Sequence, residues 1–179
     1  MGVLKTYCGL YIDLNNIDSE KINIEDIAHA LSLVCRGNGH IKRFYSVAQH
    51  CIDCAREAEL RGLSNKVVLA TLLHDASECY LSDIPSPVKK ELLDYKKLEK
   101  NLMNVIYTKF LGSVLTKEEE EQIHIIDQDM LKLDLHYLLN EKLDKLPNLK
   151  YKPSYEFVDF SLVEQEYLRL FNLYIDKIN

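Results

Sequence analysis

No stretch of this chain approaches the ~20 consecutive apolar residues that a membrane-spanning helix needs. The opening residues, MGVLKTYCGLYIDLNN, lack the charged-then-apolar layout of a secretory leader. An excess of positive charge is missing too. Lys and Arg total 22 against 28 Asp and Glu, a net charge of −6, which does not point to a nucleic-acid surface. Cys51 and Cys54 form a C-x-x-C, but the second pair that a structural zinc site would want does not exist. On a helix these two share a face and read as small buried apolar residues. Five cysteines, an odd number with no leader, predict reduced thiols and a cytoplasmic protein. Glycine and proline are scarce, six and four, and none interrupts the long periodic segments. Alternation of period two is weak throughout. The expected fold class is therefore all-α, in one domain over 1–179, a length that can bury a real core.

The periodic segments place the helices. Residues 22–35 predict a helix that stops at the glycine-rich break RGNGH (36–40). A second runs over 44–60 and ends before Gly62. Ser64 is a candidate cap for a third, continuous over 64–80. SDIPSP (82–87) is a loop, because prolines two apart cannot both sit inside a helix. Helices over 88–111 and 117–143 follow, the latter opening on Thr116 with a first turn of glutamates that the helix dipole favours. Residues 147–160 read as irregular, and 161–178 as a last amphipathic helix that can close the core or serve an interface between copies, which leaves room for a homo-oligomer.

Ionisable groups fall on or beside the buried faces of three of these helices. At roughly 100° per residue, His74, Asp75 and Glu78 share one face of the third helix, whose preceding turns are apolar nearly all round. His50 sits at the edge of the stripe made by Val47, Cys51, Cys54, Ala55 and Ala58. Asp127 and Asp134 fall within the apolar stripe of the helix after Thr116, with Asp129 on its flank. A divalent cation would explain this placement. Mixed imidazole and carboxylate donors suit Co, Mn, Zn, Ni or Fe better than Mg. His50, His74, Asp75 and Asp127 are the leading set. Asp129 and His124 are alternatives to Asp127, and Asp134 is a candidate to orient a ligand. His40 can line a pocket beside the break, whereas His29 lies between apolar positions and reads as structural. Tyr45 and Tyr80 can stack on a base or fill the core.

The order His50, His74-Asp75, Asp127 resembles the HD-domain metal-dependent phosphohydrolases. HDASECYLSDIPSPVKK (74–90) is similar to the corresponding stretch of bacterial 5′-deoxynucleotidases and phage dATP triphosphohydrolases, and the lead segment 22–51 resembles the phage-type and uncharacterised HD hydrolases more than the deoxynucleotidases. The resemblance covers about Thr6 to residue 140 and implies an HD-domain helical bundle. It implies that His50, His74, Asp75 and Asp127 bind the metal. Glu78 would act on the attacking water and Asp83 would be a second catalytic carboxylate. Arg36, Ser86 and Lys89 would contact substrate, and His40, placed by the break itself, is a further substrate-binding candidate. The implied activity is hydrolysis of phosphate or triphosphate from a (deoxy)nucleotide, with the triphosphohydrolase ahead of the monophosphatase. A nucleotide sensor without turnover, and a phosphodiesterase on a cyclic dinucleotide or an alarmone, are the rival expectations. One position departs from the pattern. Gly37 stands where deoxynucleotidases carry a bulky aromatic that helps exclude a 2′-hydroxyl, so a preference for deoxyribose does not carry over.

Overall fold

The structure is a computed structural model that describes residues 3–178. Among these residues the chain forms eight α-helices and one small antiparallel hairpin, so the fold is all-α as expected. The hairpin pairs β1 (Leu4–Lys5) with β2 (Tyr11–Ile12). Strands of two residues leave no periodicity in the sequence, which is why the hairpin was not anticipated. Asp26 ties it down by accepting the Cys8 amide at 2.7 Å.

Several of the main helices start where a side chain serves the free amides of the first turn. α1 (Ile24–Leu33) is capped by Asn23, and α2 (Val47–Arg61) by a reciprocal box between Ser46 and Gln49. Ser64 caps α3 (Asn65–Leu72) as the sequence suggested. After two short helices, α4 (Glu78–Leu81) and α5 (Ser86–Lys89), α6 runs Leu93–Leu111 and stops at left-handed Gly112. α7 (Lys117–Leu139) opens on a Thr116–Glu119 box and ends at Asn140, and α8 spans Phe160–Ile178.

α3 is the central helix. Every residue from Val67 to Leu72 is buried, and α2, α6, α7 and α8 pack around it. α8 turns Val163, Tyr167, Leu170, Phe171 and Tyr174 inward, against α1 and α3, so this helix closes the core. None of the helices is long and apolar enough to cross a membrane.

The expected continuous helix over 64–80 is corrected. α3 stops at Leu72, and residues 73–77 form a turn before α4 begins. The cause is a competition for carbonyl groups. Tyr167 of α8 donates its hydroxyl to the Leu72 carbonyl at 2.8 Å, and His74 Nδ1 donates to the Thr71 carbonyl at 2.7 Å. The backbone tightens instead into i−3 bonds, Ala76 to Leu73 and Glu78 to Asp75, both 2.9 Å. His74 and Asp75 are thereby carried on a turn rather than along a helix face.

Asp53 of α2 is buried and accepts the Tyr45 hydroxyl at 2.6 Å. Burial pushes its carboxyl up from 3.8 to about 6, although the Tyr45 hydrogen bond opposes this. A raised native value means that the folded state keeps the proton longer than the unfolded chain. The stabilising contribution is full below the unfolded value and is lost as the pH rises through about 6. Between about pH 4 and about pH 7 the wild type should therefore lose on the order of 3 kcal/mol relative to Asp53→Asn, whose amide does not titrate. Urea unfolding of both proteins across that range measures the gap; a constant gap would contradict the assignment.

Candidate metal centre and its pocket

Four elements converge on one buried cluster: the turn after α1, α2, the turn after α3, and α7. His50 of α2 is fully buried. Its Nδ1 lies 2.9 Å from Asp134 Oδ2 of α7, an acceptor-only carboxylate, so Nδ1 carries a proton and Nε2 points the other way. There Nε2 meets Asp127 Oδ1 at 3.1 Å. His74 is fixed in the same manner. Its Nδ1 is committed to the Thr71 carbonyl, which turns Nε2 inward. That Nε2 is buried and makes no hydrogen bond, with carboxylate oxygens of Asp75 and Asp127 at 3.3 and 3.6 Å.

Charge inside the cluster is strongly coupled. Burial opposes a proton on either imidazole. Cys54, Asp134 and Asp127 outweigh burial and Arg36 at His50, while Asp75, Cys51 and Asp127 do so at His74, so both are held well above the ordinary histidine value. Burial works against ionisation of Asp127, yet the two imidazoles hold it well below its usual range. A ring of donors that draws in positive charge in this way is the electrostatic setting a cation needs. The ligand atoms of His50, Cys54 and His74 lie within 4.8 Å of one another, as do those of Cys51, His74 and Asp75; these groups could hold a metal ion.

Arg36 lies in the short turn Arg36–Gly39 and spans the cluster. Its guanidinium reaches Asp75 and His50 Nε2, each at 3.3 Å, and Asp134 at 3.5 Å. Burial disfavours the cation, but Asp75 and Asp134 keep it charged.

A pocket of about 540 Å³ opens over the cluster. Arg36, His40, Asp75, Glu78, Asp83, Ser86, Lys89 and Asp127 all line it. His50 and His74 stand behind these residues. Asp83 is held by the Gly37 amide at 2.8 Å. Glu78 is buried, its Oε2 has no hydrogen-bond partner, and Oε1 lies 3.5 Å from Lys89 Nζ. Burial first, then the charges of Asp75 and Asp83, push the Glu78 carboxyl well up. Lys89 also pairs with Glu99 at 2.6 Å.

The structure therefore brings together every residue singled out for metal, catalysis or substrate. It separates others. Asp129 pairs with Arg61 at 3.2 Å, His124 is exposed, and His29 pairs with Glu164 at 3.0 Å, so none of these joins the cluster. Tyr45 and Tyr80 are buried and do not line the pocket. Three contributors escaped the sequence reading. Tyr155, in the irregular segment, donates to Asp134 Oδ1 at 3.0 Å; nothing in its surroundings signals that role. Gln128 donates to Asp127 Oδ2 at 3.2 Å. Cys54 is buried as expected, but its sulfur lies 3.5 Å from His50 Nε2, and the i,i+4 spacing of the two was the available signal.

Fold and site together define the class: an α-helical protein with a buried histidine–carboxylate cluster beneath a polar pocket. No family model matches the chain. It is 39% identical over 110 residues to the uncharacterised protein YfdR of Escherichia coli K12, covering 62% of this chain and 59% of YfdR. It is 35% identical over 133 residues to an uncharacterised protein of Rhodobacter capsulatus, covering 70% of this chain and 67% of the relative. The chain belongs to the family of this Rhodobacter protein, and it spans less than two thirds of the length of YfdR.

Removing the acceptor from a buried pair leaves an uncompensated group. Asp134→Ala should cost about 3 kcal/mol or more in urea unfolding. Lys132→Ala on the same helix loses only a contact of the half-exposed Lys132 to Asp129 and should stay within about 1 kcal/mol. Equal effects would mean that the His50–Asp134 contact is not a structural anchor.

Proposed function

We propose that this protein is a metal-dependent phosphohydrolase of the HD type acting on a nucleotide, with His50, His74, Asp75 and Asp127 as the metal-binding set. The observation that carries the reading is the convergence of two inward-pointing imidazole nitrogens and two carboxylates beneath a pocket that also holds Arg36 and Lys89. A divalent cation there would supply a nucleophilic water near neutral pH and offset charge on the phosphoryl oxygens.

The chain's own residues divide the remaining work. Arg36 presents a planar fork suited to phosphate oxygens, and Lys89 a point charge on the other side of the pocket. Glu78, desolvated and with an unpartnered oxygen, is placed to take a proton from the attacking water. Its raised carboxyl is held up in part by Asp75; a cation neutralising Asp75 would bring it down toward the ionised form that a base requires. Asp83 approaches from the loop before α5, oriented by the Gly37 amide. His40 and Ser86, both exposed at the rim, are placed to meet the sugar or base. The buried, aligned carboxylates Glu78 and Asp83 favour turnover over simple sensing, since binding alone does not need them. A triphosphate remains the preferred substrate on the strength of the lead segment.

The decisive experiment is a panel of dNMPs, dNTPs, NTPs, cyclic dinucleotides and alarmones with Co²⁺ or Mn²⁺ present. Hydrolysis of at least one nucleotide is expected, abolished by EDTA and restored by the metal. Activity that survives EDTA would sink the metal mechanism. Glu78→Gln should lower kcat by roughly 10²–10⁴-fold while nucleotide binding persists. Retained turnover in that variant would remove Glu78 from the acid–base role.

A further inference from the structure

We propose that Cys54 is a thiolate ligand of the metal centre, making it a mixed imidazole–thiolate–carboxylate site for a thiophilic divalent ion, Zn²⁺, Co²⁺ or Fe²⁺, in place of Mn²⁺ or Mg²⁺. This deepens the metal reading above and rests on it.

Cys54 is fully buried on α2, one turn beyond His50. Cys54 borders the apolar core, but its sulfur is not enclosed by apolar groups alone. The sulfur lies 3.5 Å from His50 Nε2, the same nitrogen that faces Asp127. The ligand atoms of His50, Cys54 and His74 lie within 4.8 Å of one another. A second observation points to the same space. His74 Nε2, on a side chain only 8% exposed, is aimed into this cluster and makes no hydrogen bond. A buried, unpartnered nitrogen between a thiol and two carboxylates lacks an electrophile. Cys51 is the weaker candidate, because its sulfur groups with His74 and Asp75 and not with both imidazoles.

Charge balance supports the assignment. With both imidazoles neutral, the Cys54 thiolate, Asp75 and Asp127 bring three negative charges against a divalent ion. Arg36 supplies the third positive charge needed to close the sum, 3.3 Å from Asp75. On binding, the Cys54 proton leaves to solvent and the sulfur–metal bond replaces the S–H bond. A soft thiolate donor tilts selection toward thiophilic ions, where an all-oxygen set would favour Mg²⁺.

Cobalt reports sulfur ligation directly. The metal-free full-length protein is titrated with Co²⁺ and followed by absorption. The expected result is one equivalent of Co²⁺ with visible ligand-field bands and, in the near ultraviolet, a sulfur-to-cobalt charge-transfer band. Cys54→Ser should keep the visible bands, lose the ultraviolet band and bind Zn²⁺ at least roughly tenfold more weakly, since even outer supports of metal ligands are worth that much. Cys51→Ala should retain the ultraviolet band. Wild-type visible bands without charge transfer, or a charge-transfer band that survives Cys54→Ser, would overturn thiolate ligation and leave the metal centre standing. No cobalt uptake at all would overturn both readings. The wild-type spectrum decides the matter even if a variant fails to fold.

Discussion

The hydrogen bond between His50 and Asp134, 2.9 Å long and sealed from solvent, sets the terms for everything around it. It joins α2 to α7 at the level of the pocket floor. It also decides which ring nitrogen of His50 is free, since a proton held on Nδ1 leaves Nε2 to face the cluster. Asp134 in turn is pinned by the Tyr155 hydroxyl and approached by Arg36. A buried carboxylate with one partner would be costly; with three it becomes a rigid support.

The same economy governs His74. Its orientation depends on a helix that ends early, and the early end depends on α8. Tyr167 takes one of the last carbonyls of α3, the His74 ring takes another, and the chain bends into the turn that bears Asp75. The C-terminal helix, far from the pocket in sequence, thus helps to shape its floor. Core packing and site geometry are one construction here, because α3 is both the most buried helix and the one that delivers His74.

Much of this could be read from residue order. Helical periodicity, scarce glycine and proline, and the caps at Ser64 and Thr116 gave the all-α architecture and most helix positions. Carboxylates on apolar stripes singled out Asp127 and Asp134. What stayed hidden depended on contacts distant in sequence. The break after Leu72 comes from a tyrosine 95 residues away, and no local residue there is a helix breaker. Tyr155 acts from a segment without periodicity, in a left-handed conformation (φ 53°) that its residue type does not advertise. The thiols were classed by their usual habit as small apolar residues, although the one-turn spacing of Cys54 from His50 could have signalled the contact of its sulfur with the ring nitrogen.

The contact from the Gly37 amide to Asp83 is a main-chain contact on its donor side. Gly37 and Asn38 both take left-handed backbone, at φ 59° and 53°, and this presents the amide to the carboxylate. The two lips of the pocket are therefore latched by a backbone amide on one side and the Asp83 carboxylate on the other. Side chains at the rim, His40 and Ser86 among them, can change without unfastening the latch. Such an entrance can be retuned for a new guest by altering its rim, while the distance between its lips stays set by the Gly37–Asp83 contact.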